Sequence, residues 1–279
     1  FGTEEFDDLY IKYEADKTIP KKTVPAQDLF FDLLKERAET GRIYIMNLDH
    51  CNSHSSFKDK VSMSNLCQEI TLPTTPIQHP DDDQGEIALC ILSAVNVGAL
   101  NDLSELDNIC DLSVRALEQI IDYQDYPVKA AEVSTKKRRS LGIGYIGLAH
   151  YLAKNGVKYS DPKAWELVDR LSEAFQYYLL RASCDIAEEK GKCTAFDRTK
   201  YADGLLPIDH YKKEVDEIVT HKQRMAWETL RKDILNLIIY VSIIFILIYF
   251  FFQFTPCAVS SRIMLCSFNS VVLISSARE

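Results

Sequence analysis

The sequence has little of what builds flexible connecting segments. Ten glycines and nine prolines occur among its 279 residues, which excludes a long low-complexity linker. No internal repeat is present either. The remaining composition is 47% hydrophobic and 26% charged. Such values are typical of a globular chain with one large domain or two small ones.

An excess of positive charge is also missing. The formal net charge is −9, which argues against nonspecific nucleic-acid binding. No signal peptide accompanies the eight irregularly spaced cysteines, and this combination predicts a reducing compartment, the cytoplasm. The chain begins with Phe1 instead of methionine, as a fragment would, although processing gives the same start.

The segment Met63–Pro73 has the alternating pattern of an extended chain, in which successive side chains point to opposite faces. Three apolar side chains would share a buried face: Leu66, Ile70 and Leu72. Asn65, Cys67 and Glu69 would share the other face, spaced about 7 Å apart. An ordinary strand with a polar outer face produces the same row. The cysteine favours a functional interpretation, because a free thiol usually lies buried.

The residues Ser64–Ile70 resemble the finger-loop motif N-x-C-x-E of the large, catalytic (alpha) subunit of class I ribonucleotide reductase. Further stretches resemble the same family in the same order: Gly41–Ile45, Asp49–Asn52, Gly85–Cys90, Asp122–Pro127, Arg138–Gly144 and Tyr151–Gly156. The ordered resemblance runs from Phe6 to Asp233. It implies that the chain is an interior fragment of that subunit.

The resemblance implies an α/β fold, namely part of the family's ten-stranded α/β barrel with a thiyl-cysteine finger loop inside it. The implied activity is reduction of ribonucleoside diphosphates to deoxyribonucleoside diphosphates by cysteine-radical chemistry, for DNA precursor synthesis. Cys67 would form the thiyl radical that takes the 3′ hydrogen. Glu69 would act as the base at the 3′-hydroxyl, and Asn65 would hydrogen-bond the substrate and position it.

Cys90 lies in the apolar run Ile87–Leu92, which by itself predicts a buried parallel strand with a core thiol. The resemblance implies a redox role instead. Cys90 would be one half of a dithiol that supplies two electrons and closes to a disulfide, with its partner missing from this chain. Thioredoxin or glutaredoxin would reopen that disulfide by thiol exchange.

The resemblance also implies partners and missing parts. The radical would come from a metal-containing small subunit, and no cofactor or metal would bind to this chain itself. The loops for ATP and dNTP effectors belong upstream, while the phosphate loop should follow Asp233. The radical-transfer tyrosines lie further downstream, so Tyr177 and Tyr178 receive no such role. We therefore expect the chain to be inactive alone and poorly soluble without a complementing reductase fragment.

Three other clusters favour structural interpretations. His50, Cys51 and His54 could suggest zinc, but a structural zinc site needs a fourth ligand at a suitable spacing. The sequence Gly142–Gly147 spells G-x-G-x-x-G without the hydrophobic strand that should precede a dinucleotide site, so tight backbone packing at a turn is preferred. The basic run Lys136–Arg139 predicts a solvated loop, with a phosphate or an acidic tail as the alternative ligand.

Hydrophobic periodicity predicts several helices. Residues 1–40 should be helical, with five apolar residues forming a buried face: Val24, Leu29, Phe30, Leu33 and Leu34. Gly41 should end this region before a short buried strand at Arg42–Met46. A helix capped by Ser104 should extend to Tyr123.

A long helix should begin at Asp161-Pro162 and end before Gly191. Cys184 and Cys193, on or just beyond it, are interpreted as structural. Two further helical patterns cover Ile208–Val219 and Lys222–Asp233.

The familiar pattern stops after Asp233, which predicts a partial catalytic barrel in residues 1–233 and an unrelated hydrophobic tail in residues 234–279. Residues 234–252 are apolar enough for a transmembrane helix, with Arg231 and Lys232 as a cytoplasmic flank. These residues are also ones whose codons are rich in A and T, as translated intron or intergenic sequence would be. We therefore prefer intron read-through or a gene-model artefact to a true transmembrane helix. Two alternatives to a catalytic fragment stay open: a membrane-tethered noncatalytic remnant, and one piece of a split reductase subunit.

Overall fold

Helices make up most of the fold. The computed structural model describes residues 4–210, 223–236 and 244–245. Eight α-helices lie within these ranges: α1 (Glu4–Ala15), α2 (Ala26–Thr40), α3 (Leu48–His54), α4 (Glu105–Tyr123), α5 (Lys129–Arg138), α6 (Leu148–Lys154), α7 (Pro162–Lys190) and α8 (Trp227–Asn236). Single 3₁₀ turns complete them at Val97–Ala99, Phe196–Arg198, Lys200–Asp203 and Pro207–Asp209.

A short parallel sheet stands among these helices. Its strands are β1 (Ile91–Asn96), β2 (Leu141–Ile146) and β3 (Ile244–Phe245), in the order β1-β2-β3. The register places Ile91 opposite Leu141, and Leu141 in turn opposite Ile244. Parallel strands need a crossover connection, and the crossover from β1 to β2 contains α4 and α5. The α/β class predicted from the sequence is confirmed.

The first core cluster lies between the sheet and the helices α4 and α7. Its members are buried apolar side chains from all three elements, including Val95, Leu106, Val114, Ile143, Leu171 and Phe175. Tyr145 of β2 packs edge-on against Phe175, with ring centroids 5.5 Å apart, and its hydroxyl lies 3.1 Å from Ser172 Oγ. Burial of these side chains supplies the driving force that holds the two helices on the sheet.

Both long helices follow the sequence prediction. Helix α4 ends at Tyr123 as expected, and α7 begins with Pro162 and is followed by Gly191. The cap of α4 differs from the prediction, because the Ser104 side chain makes no capping bond. Instead, Glu105 Oε1 accepts hydrogen bonds from the backbone N–H groups of Asn101 and Asp102 at 3.1 and 3.2 Å.

Gly147 forms the turn between β2 and α6, and the predicted tight packing at a turn is confirmed for this glycine. Gly147 has φ +79°, the left-handed region that glycine tolerates best. A side chain at this position would overlap Asn96 Oδ1 and come within 3.0 Å of the Gly98 nitrogen. Gly142 and Gly144 lie inside β2 itself and are buried.

The predicted buried face of the N-terminal helices is wrong. Helix α2 contains no buried residue, and α1 and α2 expose a series of large apolar side chains: Leu9, Tyr10, Ile11, Tyr13, Leu29, Phe30, Phe31 and Leu34. The helical prediction itself is confirmed. The face stays exposed because the described part of the chain supplies nothing that covers it.

Two strand predictions also need correction. Residues 42–46 are irregular, and none of them is buried, because no described segment pairs with their backbone. The parallel strand predicted for Ile87–Leu92 exists but is displaced to Ile91–Asn96, and Val95 is its one buried residue. Residues 87–90 precede the strand, where the Ile87 nitrogen donates to Ala130 O at 3.2 Å.

The basic run is not a solvated loop. Lys136, Lys137 and Arg138 form the last turn of α5, and Arg138 and Arg139 are buried. Each basic side chain of the run is paired with carboxylates: Lys136 with Glu132, Lys137 and Arg138 with Glu86, and Arg139 with Glu118 and Asp122. A buried charge is stable only when it is paired. Arg138 and Arg139 can therefore be buried because nearby carboxylates pair with them.

A second core cluster joins α8 to the middle of α7. It contains Phe57, Leu72, Tyr201, Trp227 and Leu230, together with Cys184 and Cys193. The two cysteines are buried, as predicted for structural thiols. Helix α8 begins later than the predicted Lys222 and runs past Asp233 to Asn236.

The remaining C-terminal predictions fall largely outside the described residues. For the pattern at Ile208–Val219, Pro207–Asp209 forms a 3₁₀ turn, and positions 211–219 lie outside. In the 234–252 segment, residues 234–236 finish α8 and residues 244–245 form β3. No helix of the described ranges has the length and hydropathy needed to cross a bilayer.

Candidate functional site

The segment that contains Cys67 is a turn. The Gln68 nitrogen donates to Asn65 O at 3.1 Å, which closes a four-residue β-turn with Leu66 and Cys67 at its centre. Gln68 follows with φ 62°, one of two positive-φ residues other than glycine in the described chain. A left-handed residue interrupts the strict alternation of side chains. The extended conformation predicted for this segment is therefore wrong.

Asn65 and Ser64 brace the turn from its base. Asn65 Oδ1 accepts a hydrogen bond from the Ile70 nitrogen at 3.0 Å, and Ser64 Oγ donates to Ile70 O at 2.7 Å. Because short polar side chains that bond nearby backbone groups stabilise turns, Asn65 fixes the shape of the loop. Its amide oxygen is used for this purpose, which leaves the amide NH₂ group to meet a ligand.

The three apolar side chains that were predicted to share a buried face of the loop differ in their exposure. Leu72 is 2% exposed and belongs to the second core cluster, whereas Leu66 is 79% exposed at the tip of the turn. Ile70 is partly buried against the same cluster. Cys67 is an exposed free thiol beside Leu66. The loop is thus anchored at Leu72 and presents Cys67 at its outer end.

The charge of Glu69 acts on the thiol of Cys90. Glu69 Oε2 is buried and has no hydrogen-bond partner, although buried polar atoms are usually satisfied. Cys90 is partly buried against the second core cluster. Burial, reinforced by the negative charge of Glu69, raises the pKa of the Cys90 thiol to about 12. At neutral pH Cys90 is therefore a protonated thiol, the form that can give up a hydrogen atom or proton.

The described structure thus brings together two of the four predicted site residues and places the other two on the same loop. The charge of Glu69 raises the Cys90 pKa, Asn65 shapes the turn, and Cys67 occupies its tip. Ser64 was missed by sequence reasoning, although a serine beside an asparagine at a turn is a known bracing signal. Arg138 and its carboxylate partners were missed as well, because the basic run was assigned to solvent.

The other candidate clusters have local structural roles. His50 and His54 share one face of α3, with ring centroids 6.3 Å apart, and His54 Nδ1 lies 3.0 Å from His50 O. Cys51 is buried. Among the described residues no group of three or more His, Cys, Asp or Glu side chains is arranged to hold a metal ion.

A cavity of about 370 Å³ lies near the start of the loop, lined by residues that include Asn52, Phe57, Lys58 and Lys200. The lysines that line it, Lys58, Lys60 and Lys200, already have partners. Lys58 Nζ donates to Asp203 Oδ1 at 2.8 Å, and Lys200 Nζ donates to Ser53 O at 2.9 Å. The cavity lining does not include Cys67, Glu69 or Cys90, so we place the candidate site at the loop.

A parallel α/β fold with an exposed thiol, a buried carboxylate oxygen and a second thiol on adjoining segments defines a candidate thiol-redox site. Comparison with known proteins identifies the family. The model of the family described as "Ribonucleotide reductase, barrel domain" matches residues 1–266. The chain belongs to this family, which confirms the resemblance stated above.

Curated relatives agree with the family match. The chain is 56% identical over 234 residues to the ribonucleoside-diphosphate reductase subunit alpha of Haemophilus influenzae. It is 52% identical over 234 residues to the ribonucleoside-diphosphate reductase 1 subunit alpha of Escherichia coli. Each alignment covers 83% of this chain and 31% of the relative. A more distant relative, the subunit alpha of enterobacteria phage T4, is 39% identical over 236 residues, which are 83% of this chain and 30% of the relative.

The chain therefore spans about a third of the length of the curated relatives that it matches and corresponds to a part of an alpha subunit. The family model reaches residue 266, while the curated alignments cover 234 residues. The boundary at residue 233 stays a prediction.

The coupling between Glu69 and Cys90 gives a direct prediction. In Glu69→Gln the negative charge is lost, so the Cys90 pKa should fall and the thiolate fraction at pH 9 should rise. Alkylation of Cys90 by iodoacetamide, followed by peptide mass spectrometry, should become about two- to tenfold faster, because thiolate is the reactive form and one pKa unit changes its fraction up to tenfold.

Glu69→Asp keeps the charge and serves as the matched control. Cys184 is also a buried thiol, and burial raises its pKa as well. Its alkylation rate serves as the internal reference within each sample. An unchanged Cys90 rate in Glu69→Gln would show that burial alone sets this pKa.

Proposed function

We propose that the chain is an interior piece of the catalytic subunit of a ribonucleoside-diphosphate reductase and carries part of its active site. The observation that supports this most is the Asn65-x-Cys67-x-Glu69 turn, whose Glu69 charge acts on Cys90, in a chain of the reductase barrel family. The substrate is a ribonucleoside diphosphate and the product is the 2′-deoxy form. The product supplies DNA synthesis.

Each residue has a role that suits its place. Cys67, at the exposed tip of the turn, takes the 3′ hydrogen as a thiyl radical and returns it at the end. Glu69 holds the proton of the 3′-hydroxyl, for which its unpartnered buried oxygen is suited. The Asn65 amide NH₂ orients the reacting hydroxyl groups, while its oxygen keeps the turn closed.

Cys90 supplies reducing equivalents with a second thiol from outside this chain. In the net reaction the 2′ C–O bond breaks, the carbon gains hydrogen and the oxygen leaves as water. Two thiols lose two electrons and two protons as their S–S bond forms. Burial keeps Cys90 protonated until it reacts. A small protein dithiol, thioredoxin or glutaredoxin, then reduces the disulfide by exchange.

The proposal also includes the partners. A small subunit that contains a metal supplies the oxidising equivalent for Cys67, and ATP and dNTP effectors bind to parts of the subunit that this chain does not contain. The exposed apolar face of α1 and α2 supports assembly with a complementing reductase fragment, since patches of this kind mark interfaces. A reducing, cytoplasmic location agrees with the free thiols of Cys51, Cys67, Cys90 and Cys110.

Reconstitution tests this proposal. The chain is mixed with the remaining parts of a reductase alpha subunit, the small subunit, thioredoxin and labelled CDP, and dCDP is measured by chromatography. We expect dCDP from the complete mixture and none from the chain alone. An assembly that forms stably and yields no dCDP would favour the noncatalytic alternative.

A further inference from the structure

A single buried arginine joins the segments that carry the candidate site. Arg138 is 2% exposed and lies at the C-terminal end of α5. Its Nε donates to Glu86 Oε2 at 2.5 Å, and its Nη1 donates to Asp59 Oδ2 at 2.9 Å. The guanidinium also stacks over the Phe57 ring, 5.6 Å from the ring centroid. One side chain thus binds two carboxylates that are 27 residues apart in the sequence.

These two carboxylates mark the ends of the loop that contains Cys67. Asp59 lies four residues before the Met63–Pro73 segment that forms this loop. Glu86 pairs through its backbone with Thr75 in both directions at 3.0 Å, just after the loop. Glu86 also precedes Cys90 by four residues. The entrance of the loop, its exit and the segment leading to Cys90 therefore converge on Arg138.

Two further basic side chains pair with the same two carboxylates. The second oxygen of Asp59 accepts from Arg198 Nη2 at 2.7 Å, and Lys137 pairs with Glu86. Burial would raise the pKa of both carboxyl groups, but the hydrogen bonds from these cations outweigh it and the pKa values are lowered. Both carboxylates are therefore ionised at neutral pH. The junction is a paired ionic cluster with fixed geometry.

Building on the function proposed above, we propose that Arg138 is a positioning residue that sets the placement of the Cys67 loop relative to Cys90. The planar guanidinium fork binds two carboxylates in a fixed relative orientation, whereas the flexible ammonium group of lysine does not. Radical and hydrogen transfer between thiols and a bound sugar requires accurate placement of the reacting atoms. Arg138 touches none of those atoms and acts through the backbone of the two segments.

The neighbouring arginine is a natural control. Arg139 is also buried and also binds two carboxylates, Glu118 and Asp122, but both belong to α4. Loss of either arginine weakens a buried ionic cluster. Only loss of Arg138 frees the loop and the segment before Cys90.

The test compares Arg138→Lys with Arg139→Lys in the full chain by timed alkylation and peptide mass spectrometry, with no turnover required. In Arg138→Lys the ratio of the Cys90 rate to the Cys184 rate should rise about tenfold, because the Cys90 segment opens locally while the core stays closed. In Arg139→Lys the ratio should stay unchanged. Trypsin cleavage at Lys60, at the start of the loop, should accelerate in Arg138→Lys only.

General destabilisation predicts a different pattern. If Arg138→Lys accelerates Cys90, Cys184 and Cys110 together, or leaves all three unchanged, the positioning role is wrong. If this variant does not fold at all, all thiols react at the unfolded rate and the proposal also fails. Glu86→Gln removes one arm of the junction and must reproduce the selective rise at Cys90. Because this readout is independent of dCDP formation, it fails or succeeds separately from the proposed reductase activity.

Discussion

Replacing Cys67 by serine should abolish dCDP formation by the reconstituted reductase, with a loss of at least about 10³-fold. Serine retains the size and polarity of the side chain, but its O–H bond is too strong for the hydroxyl to replace a thiyl radical. No other described thiol occupies the loop. The assay is the reconstitution described above, performed with equal amounts of wild-type and variant chain.

The stability of this variant should not change, since Cys67 is an exposed side chain at the tip of a turn. Thermal unfolding of the two proteins checks this point. Cys110→Ala is the matched control, because Cys110 is a free thiol buried in the first core cluster, away from the loop. It should retain activity. Full activity of Cys67→Ser would remove Cys67 from the mechanism.

Replacing Arg139 by methionine should destabilise the chain by about 3–5 kcal/mol, because it removes the arginine that is paired with a buried carboxylate. Glu118 is fully buried, at 0% exposure, and accepts from Arg139 Nε at 2.6 Å. Methionine preserves much of the volume and removes every donor. Urea unfolding followed by circular dichroism measures the change in the free energy of unfolding.

Arg115→Met provides the comparison for this second prediction. Arg115 also binds two carboxylates, Asp111 and Glu189, but these side chains are 36% and 52% exposed. Pairs of this kind contribute about 0–1 kcal/mol, so the variant should be nearly neutral. Equal losses in the two variants would contradict the role assigned to burial.

The Arg139 pair also has a defined pH dependence. Hydrogen bonds from Arg139 lower the pKa of Asp122 in the folded chain. A carboxyl group with a lowered pKa stabilises the fold above its unfolded pKa, and this contribution disappears as the pH falls through the folded pKa. Between pH 5 and pH 3, Arg139→Met should therefore lose less stability than the unsubstituted chain. The pH dependence that remains in the variant comes from the other acidic pairs.

The helices show how far periodicity determines structure. For α4 and α7 the ends of both helices and the start of α7 agree with the sequence. Each helix buries apolar side chains against the sheet, although Ile120 of α4, at 40% exposure, stays on the surface. For α1 and α2 the same reasoning located the helices correctly. It predicted that their apolar faces would be buried, whereas the structure leaves them exposed. Periodicity shows which face is apolar, but a partner segment decides whether that face is covered.

The candidate site shows the same limit at the level of single residues. The finger-loop motif, together with the ordered series of stretches between Gly41 and Gly156, was sufficient to identify the family, which the family match confirms. The sequence alone thus determined the α/β class, the family and the main helices, since these depend on local patterns and ordered motifs. It did not determine the turn at Gln68, because a positive φ at a residue other than glycine has no composition signal.

Only the tertiary structure decided where the charges lie. Arg138 and Arg139 belong to a basic run that is indistinguishable, in sequence, from a solvated one. Each is buried because carboxylates distant in the sequence, Glu86 and Asp59 for one and Glu118 for the other, meet it in space. The free energy of a buried charge depends on the partners within a few ångströms, and those partners are set by the fold.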